Sequence, residues 1–293
     1  MSDERSGSAD EAAVGDDRAD HERSISLDDG RTLAYLDIGD PGGYPVINNH
    51  GGLSSRLDIW PASDAARARQ LRIISPDRPG IGRSDANAGH TIESWANDVE
   101  ALADQLGLDR FAVIGWSFGG GYAQAVARYL SERVSTLVLV ASVIPREWAG
   151  MREEINRMDR VLLRLSHNAV GRLDERTIFH VMGHMAAKKP ERFAKLAGFE
   201  EGGPALTAAI AEGLSNTEGV VADYEIMNQP WGFDPSDITV PTHIWQGDAD
   251  ELVPPDWATR LHEAIAGSTV HMVEGGTHLL WYEHWDDLFA DVT

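Results

Sequence analysis

The chain has 293 residues, 42% of them hydrophobic, and 47 acidic residues against 25 basic ones give it a formal net charge of -22. This length and hydrophobic content predict one large α/β domain with an insertion, or two small domains, and the charge argues against nucleic acid and anionic membranes as partners. Because the chain contains no cysteine, disulfides, thiolate catalysis and cysteine-based metal sites are excluded. The acidic excess fits either a GC-rich genome or adaptation to high salt.

The first 23 residues are rich in Asp, Ser and Ala and contain almost no large apolar side chains. They cannot bury enough surface to offset the entropy of ordering, so the sequence predicts a disordered acidic tail. They also lack the apolar core of a signal peptide, and no stretch of 18 apolar residues occurs in the chain. We therefore expect a soluble, cytoplasmic protein.

The fold is predicted to begin with two short strands, Ser24–Leu27 and Arg31–Asp37, joined by the turn signal Asp-Asp-Gly. Another short strand runs into residues 50–52 (His-Gly-Gly). Arg72–Ser75 forms a further strand, and the Gly-x-Gly in the loop after it lacks the third glycine of a dinucleotide-binding fingerprint. A helix over Ile92–Leu106, with apolar residues at helical spacing, then leads to the central motif.

Residues 111–119 have the pattern of a buried strand, a sharp turn and a helix. Residues 111–114 are an apolar, β-branched run that suits a central parallel strand, and residues 118–130 are good helix formers. Between them Gly-Trp-Ser-Phe-Gly places Ser117 on a turn so tight that only glycine fits on either side. The strain exposes the serine hydroxyl and directs the N–H of Phe118 towards the place of an oxyanion. The alternative is a glycine-rich helix start with an incidental serine.

The strand predicted over Val134–Ala141 completes an alternation of strands and helices, which gives a parallel sheet. From Pro145 to about Pro235 the chain is helical and irregular, which we interpret as a cap over the C-terminal edge of the strands. Regular alternation resumes at the strand Thr239–Gln246. The predicted domains are an acidic tail (1–23), a core (24–144 and 236–293) and a helical cap (145–235).

Of the 11 histidines, His278 is the one placed for catalysis, because it lies in a glycine loop just past the last predicted strand. His243 and His271 fall inside strands, where packing or solvent contact is expected. His180 and His184 stand four residues apart in the cap, but no third ligand accompanies them. The sequence therefore predicts no metal site.

Taken together, these motifs resemble the α/β-hydrolase superfamily across residues 24–293. The resemblance is carried by residues 50–52 (His-Gly-Gly), 77–84 (Asp-Arg-Pro-Gly-Ile-Gly-Arg-Ser), 115–119 (Gly-Trp-Ser-Phe-Gly), 247–254 (Gly-Asp-Ala-Asp-Glu-Leu-Val-Pro) and 276–278 (Gly-Thr-His). It implies an α/β-hydrolase fold, with a mostly parallel central sheet, flanking helices and a helical cap insertion. A serine at the sharp turn is unlike the epoxide hydrolases and haloalkane dehalogenases, and Leu53 replaces the proline of the proline iminopeptidase motif.

The resemblance also implies a catalytic triad, in which Ser117 attacks a carbonyl, His278 accepts its proton and an aspartate orients the histidine. Residues 247–250 offer two aspartates. Asp250 matches the family's Gly-x-x-Asp pattern, whereas Asp248 follows the turn glycine directly. We therefore expect Asp250 to be the third member.

The oxyanion hole is expected from the backbone N–H groups of Gly52 and Phe118. The expected substrate pocket consists of Leu53, Trp116, Phe179, Trp231, Leu252 and Leu279. The reaction implied is hydrolysis of a small to medium carboxylic ester through an acyl-enzyme, with a small molecule as the substrate and without a cofactor.

Two alternatives remain open at this point. An aminopeptidase of the proline iminopeptidase type would need a carboxylate in the cap to bind the substrate's amine. The cap offers Glu200, Glu201, Glu212 and Glu218 as candidates. A ligand receptor without turnover could use the same fold. The sequence leaves the oligomeric state and the identity of the substrate open.

Overall fold

The computed structural model describes residues 18–165 and 169–292, without the side chains of residues 169, 170 and 200. Residues 1–17, which make up most of the predicted tail, lie outside the described residues. Residues 18–23 were assigned to the tail from their composition, but the first strand already begins at Glu22. No helix in the described ranges has the length and apolar character needed to cross a bilayer.

Eight strands form a single sheet in the order β1-β2-β4-β3-β5-β6-β7-β8. They are β1 (Glu22–Ser26), β2 (Thr32–Gly39), β3 (Tyr44–Asn49), β4 (Leu71–Pro76), β5 (Phe111–Trp116), β6 (Val134–Val140), β7 (Thr242–Gly247) and β8 (Thr269–Val273). The pairs β1–β2 and β2–β4 are antiparallel, and all other neighbouring pairs are parallel. The predicted mostly parallel sheet is therefore confirmed, and the loops after β3, β5, β7 and β8 leave it at one edge.

Helices flank this sheet and fill the connection between β6 and β7. In the described residues the α-helices are α1 (Ser63–Ala68), α2 (Ile92–Gln105), α3 (Phe118–Tyr129), α4 (Met151–Glu154), α5 (Arg157–Leu165), α6 (Ala169–Lys188), α7 (Pro190–Ala197), α8 (Gly203–Gly213), α9 (Thr217–Met227), α10 (Asp256–Ala264) and α11 (Trp285–Ala290). We call the segment that holds α4 to α9 the cap. Its amphipathic stretch from Met151 to Leu165 is two helices, because Asn156 caps the second one by accepting the N–H of Asp159 at 3.0 Å.

Local sequence accounts for the elements that position the centre of the sheet. All six residues of β5 are buried, as its unbroken apolar run requires. Helix α2 begins with a capping box, in which the hydroxyls of Thr91 and Ser94 each accept the other's backbone N–H at 3.0 and 2.9 Å. Its buried face includes Trp95, whose indole N–H donates to Asn49 Oδ1 at 2.7 Å. The end of β3 is thereby fixed against α2.

The cap approaches the core closely at two glycines. A Cβ on Gly213, at the end of α8, would lie 2.5 Å from the carbonyl oxygen of Ser54. A Cβ on Gly219, in α9, would lie 2.0 Å from the carbonyl oxygen of Gly80. Since real side chains do not approach backbone so closely, only glycine allows these helices to rest on the loops that follow β3 and β4.

The beginning of β1 contributes to a buried cluster of charges. The guanidinium of Arg56 is fully buried and forms ion pairs with Asp77 at 2.6 Å, Glu212 at 3.0 Å and Glu22 at 3.2 Å. Burial of this arginine is offset by these three carboxylates. Glu22 therefore belongs to the packed structure.

We predict that two truncations will behave differently. A chain that starts at Arg18 should keep the Tm of the full chain, because the sequence predicts no packing for residues 1–17. A chain that starts at Ser24 loses a carboxylate from a buried arginine and should melt about 3 to 6 °C lower. Differential scanning calorimetry measures both, and Glu22→Gln in the full chain is the matched control. Equal melting temperatures for the two truncations would contradict the assignment.

Candidate active site

Ser117 lies on a strained turn between β5 and α3. Its backbone has φ 57° and ψ -123°, and residues other than glycine rarely adopt a positive φ. A Cβ on Gly115 would lie 2.5 Å from the carbonyl oxygen of Gly119, as expected from the tight turn. A Cβ on Gly119, however, would lie 2.0 Å from the carbonyl oxygen of Asn49. The second glycine is thus required by the approach of β3 rather than by its partner across the turn.

His278 and Asp250 form a buried hydrogen bond. The Nδ1 atom of His278 lies 2.9 Å from Oδ2 of Asp250, which holds the proton of the neutral imidazole on Nδ1. The other oxygen, Oδ1, accepts the N–H groups of Leu252 and Val253 at 2.8 and 2.9 Å. Burial alone raises the pKa of Asp250, but the charge and hydrogen bond of His278, together with the two backbone N–H groups, bring that pKa below its usual value. Asp250 is therefore a carboxylate at neutral pH.

Asp248 has a different environment. It is exposed, and its Oδ1 accepts the N–H of Gly275 at 2.7 Å. Its own N–H donates to the carbonyl of Val273 at 3.1 Å. Asp248 thus joins the loop after β7 to the loop after β8, while the carboxylate beside the histidine belongs to Asp250.

Trp116 holds the loop of His278 against the turn of Ser117. Its indole N–H donates to the carbonyl of His278 at 3.0 Å, and the two rings lie 5.3 Å apart. On the other side its ring stacks on Trp281 at 4.7 Å. Because Trp116 directly precedes Ser117, the position of the histidine loop is set by the same strand that sets the serine.

The glycine loop after β3 presents a backbone N–H to the same region. The N–H of Gly51 is used internally, since it donates to Oδ2 of Asp58 at 2.9 Å. Among the described residues, no acceptor is found for the N–H groups of Gly52 and Phe118. A Cβ on Gly52 would come within 3.1 Å of the Phe118 ring, so glycine is needed for the two backbones to approach. Burial raises the pKa of Asp58 to about 7.

A fully buried arginine fixes this loop from behind. Arg78 donates to the carbonyl oxygen of Gly51 at 3.1 Å and also to that of His50. Its guanidinium is paired at 2.6 Å with Asp223, on cap helix α9, and Asp223 accepts the hydroxyl of Tyr122 at 2.8 Å. The cap carboxylate and the glycine loop are therefore joined through one side chain. Arg78 lies in the family motif of residues 77–84, which could have drawn attention to it, but no role was predicted for this residue.

A small cavity of about 40 Å³ brings these groups together. Ser117, His278, Gly52 and Phe118 line it, as do three of the predicted pocket residues, Leu53, Trp116 and Leu252. It is also lined by residues that the sequence analysis did not select, namely Val143, Ile155, Met158, Asp159, Phe199, Tyr224 and Val253. Most of these belong to the cap, whose helical faces could not be assigned before their packing was known.

Three predicted pocket residues are not among those that line the cavity. Phe179 packs behind Tyr224, with ring centres 5.5 Å apart. Trp231 packs against α3, so closely that a Cβ on Gly121 of that helix would lie 3.0 Å from its ring. Leu279 is buried in the hydrophobic core. All three were expected at the pocket because they are apolar and near the site in sequence or in the cap, but each is used for packing.

The cap glutamates considered as amine ligands are directed elsewhere. Glu201 accepts the hydroxyl of Thr277 at 2.6 Å, Glu212 pairs with Arg56, and Glu218 pairs with Arg176 at 3.2 Å. The side chain of Glu200 lies outside the described part of the structure. The cap carboxylate that does line the cavity is Asp159.

An alignment model of the α/β hydrolase fold family matches residues 44–284. The chain is 28% identical to a non-heme chloroperoxidase of Streptomyces lividans, over 92% of this chain and 97% of that protein. It is 27% identical to a proline iminopeptidase of Lactobacillus acidophilus, over 84% of this chain and 87% of that protein. Among solved structures, an esterase of Exiguobacterium antarcticum is similar with a TM-score of 0.70 and 22% identity, covering 91% of this chain and 96% of that one.

The two aspartates after β7 should respond differently to the same change. Asp250→Asn keeps the shape of the side chain but removes the acceptor charge at His278 Nδ1, and kcat should fall by roughly 10⁴. Asp248→Asn retains an acceptor for the N–H of Gly275, and its stability should stay within about 0.5 kcal/mol of the parent. Steady-state kinetics on a p-nitrophenyl ester, with circular dichroism as the folding check, separate the two variants. The reverse order of activities would contradict the geometry.

Asp223→Asn tests whether the buried arginine positions the glycine loop. The change leaves Arg78 with neutral acceptors, so we expect the free energy of unfolding to fall by about 3 kcal/mol and kcat by roughly tenfold. Asp98→Asn is the matched control, because Asp98 pairs with Arg31 at 2.6 Å, on the hairpin at the outer edge of the sheet. The control should lose stability but not kcat. An equal loss of kcat in both variants would show that the effect is general destabilisation.

Proposed function

The chain belongs to the α/β-hydrolase fold family and is a hydrolase, and from that premise we propose that it cleaves a small to medium carboxylic ester through an acyl-enzyme. The observation that carries the proposal is the shared cavity, in which the strained Ser117 faces the same space as the buried pair of His278 and Asp250. A nucleophile and a base that face one cavity, with an acid bound to the far side of the base, are the parts that acyl transfer requires.

In the proposed mechanism the Oγ atom of Ser117 attacks the ester carbonyl while Nε2 of His278 accepts its proton. Asp250 keeps the other imidazole proton on Nδ1 and stabilises the imidazolium that forms. The oxyanion is bound by the N–H groups of Gly52 and Phe118. Collapse of the tetrahedral intermediate breaks the ester bond, and His278 returns the proton to the departing alcohol. Water then attacks the acyl-enzyme by the same steps and releases the acid.

The lining of the cavity supports an ester of modest size. Apart from the reacting groups, it consists mainly of apolar side chains such as Val143, Ile155 and Phe199. Its volume of about 40 Å³ leaves little space beyond the reacting carbonyl and a short acyl chain without movement of the cap. One structural relative is an esterase, which agrees with this substrate class.

An aminopeptidase is the second candidate, and one observation favours it. The carboxylate of Asp159 lines the cavity and could bind a substrate ammonium group. Both of its oxygens already accept hydrogen bonds, from Tyr224 Oη at 2.6 Å and from Asn156 Nδ2 at 2.5 Å. Since those bonds reduce what the carboxylate can offer an amine, we favour the ester.

We predict that Ser117→Ala will lower turnover of p-nitrophenyl butyrate by roughly 10⁴ to 10⁶. A serine-directed phosphonate should add one equivalent to the parent protein and none to this variant. Ser236→Ala, at an exposed serine in the turn before β7, is the matched control and should retain full activity and labelling. Retention of most activity by Ser117→Ala would show that another group is the nucleophile.

The substrate class is tested with p-nitrophenyl esters of increasing acyl length and with proline p-nitroanilide. If esters are the substrates, kcat/KM should be highest for short acyl chains, and Asp159→Asn should leave it within about threefold. An aminopeptidase would instead prefer the anilide, and Asp159→Asn would raise its KM for the anilide at least tenfold. The phosphonate experiment succeeds for either class, so it tests the nucleophile independently of the substrate.

A further inference from the structure

A second cluster of polar side chains lies at the edge of the sheet, on the strands that lead to the candidate active site. His243 is in β7, His271 is in β8, and Asp291 directly follows α11. The Nδ1 atom of His243 lies 3.2 Å from Nε2 of His271 and 3.2 Å from Oδ2 of Asp291, and the third distance, from His271 to Asp291, is 3.3 Å. The three ligand-type atoms thus form a nearly equilateral triangle.

These distances are those of ligands around one small cation. A tetrahedral zinc ion with bonds of about 2.0 to 2.1 Å separates its ligand atoms by roughly 3.3 Å. Two imidazole nitrogens and a carboxylate oxygen are also the ligand types that zinc and similar transition metals prefer. The side chains are half-buried, with exposed fractions of 26% for His243, 29% for His271 and 18% for Asp291, so an ion can reach them.

The register of the sheet and one tryptophan bring the three side chains together. Trp245 in β7 is opposite His271 in β8, and His243 lies two residues earlier on the same face of β7. The Trp245 ring stacks on His271 at 4.3 Å with an angle of 11° between the planes. Its indole N–H donates to Oδ2 of Asp291 at 2.8 Å. Contacts from neighbouring side chains orient the ligands of a metal, so Trp245 holds His271 and Asp291 in position before an ion binds.

A simple ion pair explains the cluster less well. The two nitrogens of His243 and His271 face each other at 3.2 Å, so at most one can carry a proton on that side. If both imidazoles were protonated to pair with Asp291, their N–H groups would point at each other. A cation between them uses both nitrogen lone pairs and the carboxylate charge at once.

We propose that His243, His271 and Asp291 bind a divalent transition metal of the zinc type, with water as a fourth ligand. The ion would fasten β7, β8 and the end of α11 to one another. His243 lies seven residues before Asp250, and His271 lies seven residues before His278. The metal would therefore stabilise the two strands that carry the acid and the histidine, without contact with the reacting groups.

The test uses the full chain, treated with chelator and then dialysed. Calorimetric titration with Zn²⁺ should show one equivalent per chain with a Kd of micromolar or lower, and Co²⁺ should give the intense visible absorption of tetrahedral coordination. Zinc in roughly hundredfold excess over Kd should raise Tm by about 5 °C. His271→Asn should lose the tight equivalent and the Tm increase, and Asp291→Asn serves as the second variant should the first not fold.

The control is the double variant His180→Gln with His184→Gln. These residues stand four apart on α6, and among the described residues they belong to no group of three possible ligands. This variant should bind one equivalent of Zn²⁺ like the parent. Stoichiometry below about 0.1 in the parent, or binding that survives His271→Asn and Asp291→Asn, would overturn the proposal.

Discussion

The strained backbone at Ser117 is the constraint on which the candidate site depends. A positive φ in a residue other than glycine costs on the order of 1 to 3 kcal/mol, so the surroundings must hold it. The N–H of Ser117 donates to the carbonyl of Val140 at 2.9 Å, and its carbonyl accepts the N–H groups of Gly120 and Val143 at 2.9 and 3.3 Å. With Asn49 pressed against Gly119 from β3, the turn is fixed by both neighbouring strands. The conformation of Ser117 is thus set by the packed sheet and not by the five residues of the motif alone.

The glycine loop of the candidate site depends on the cap in the same sense. A fully buried guanidinium needs a carboxylate, and Arg78 obtains it from Asp223 on helix α9. The same guanidinium binds the carbonyls of the glycine loop that precede Gly52. Movement of α9 would therefore leave the buried guanidinium of Arg78 without its carboxylate and free the glycine loop after β3. This coupling makes the cap part of the scaffold of the candidate site as well as a wall of its cavity.

The parts that the sequence predicted well are those specified within a few consecutive residues. Helix α2 begins at Ile92 and α3 at Phe118, as predicted, and the four-residue pattern selected Asp250, which lies beside His278, over Asp248. Contacts between distant residues could not be obtained in this way. Asp223 lies 145 positions from Arg78, and the face that Phe179 presents depends on how the cap helices pack. Likewise, two histidines in separate strands meet only through a register that a single sequence does not reveal.

Strand β8 shows why such distant contacts matter for the chemistry. It is the last strand of the sheet and none of its five residues is buried, and edge strands of this kind open more readily than central ones. Under the proposed mechanism, the loop after it must hold His278 to within a fraction of an ångström of a productive position. At the loop end, Asp248 binds the N–H of Gly275, and Trp116 binds the carbonyl of His278. In the middle of the strand, the cluster of His243, His271 and Asp291 joins β8 to β7 and to the residue after α11. An edge strand has only one neighbouring strand, and these side-chain contacts supply part of the rigidity that a second neighbour would give.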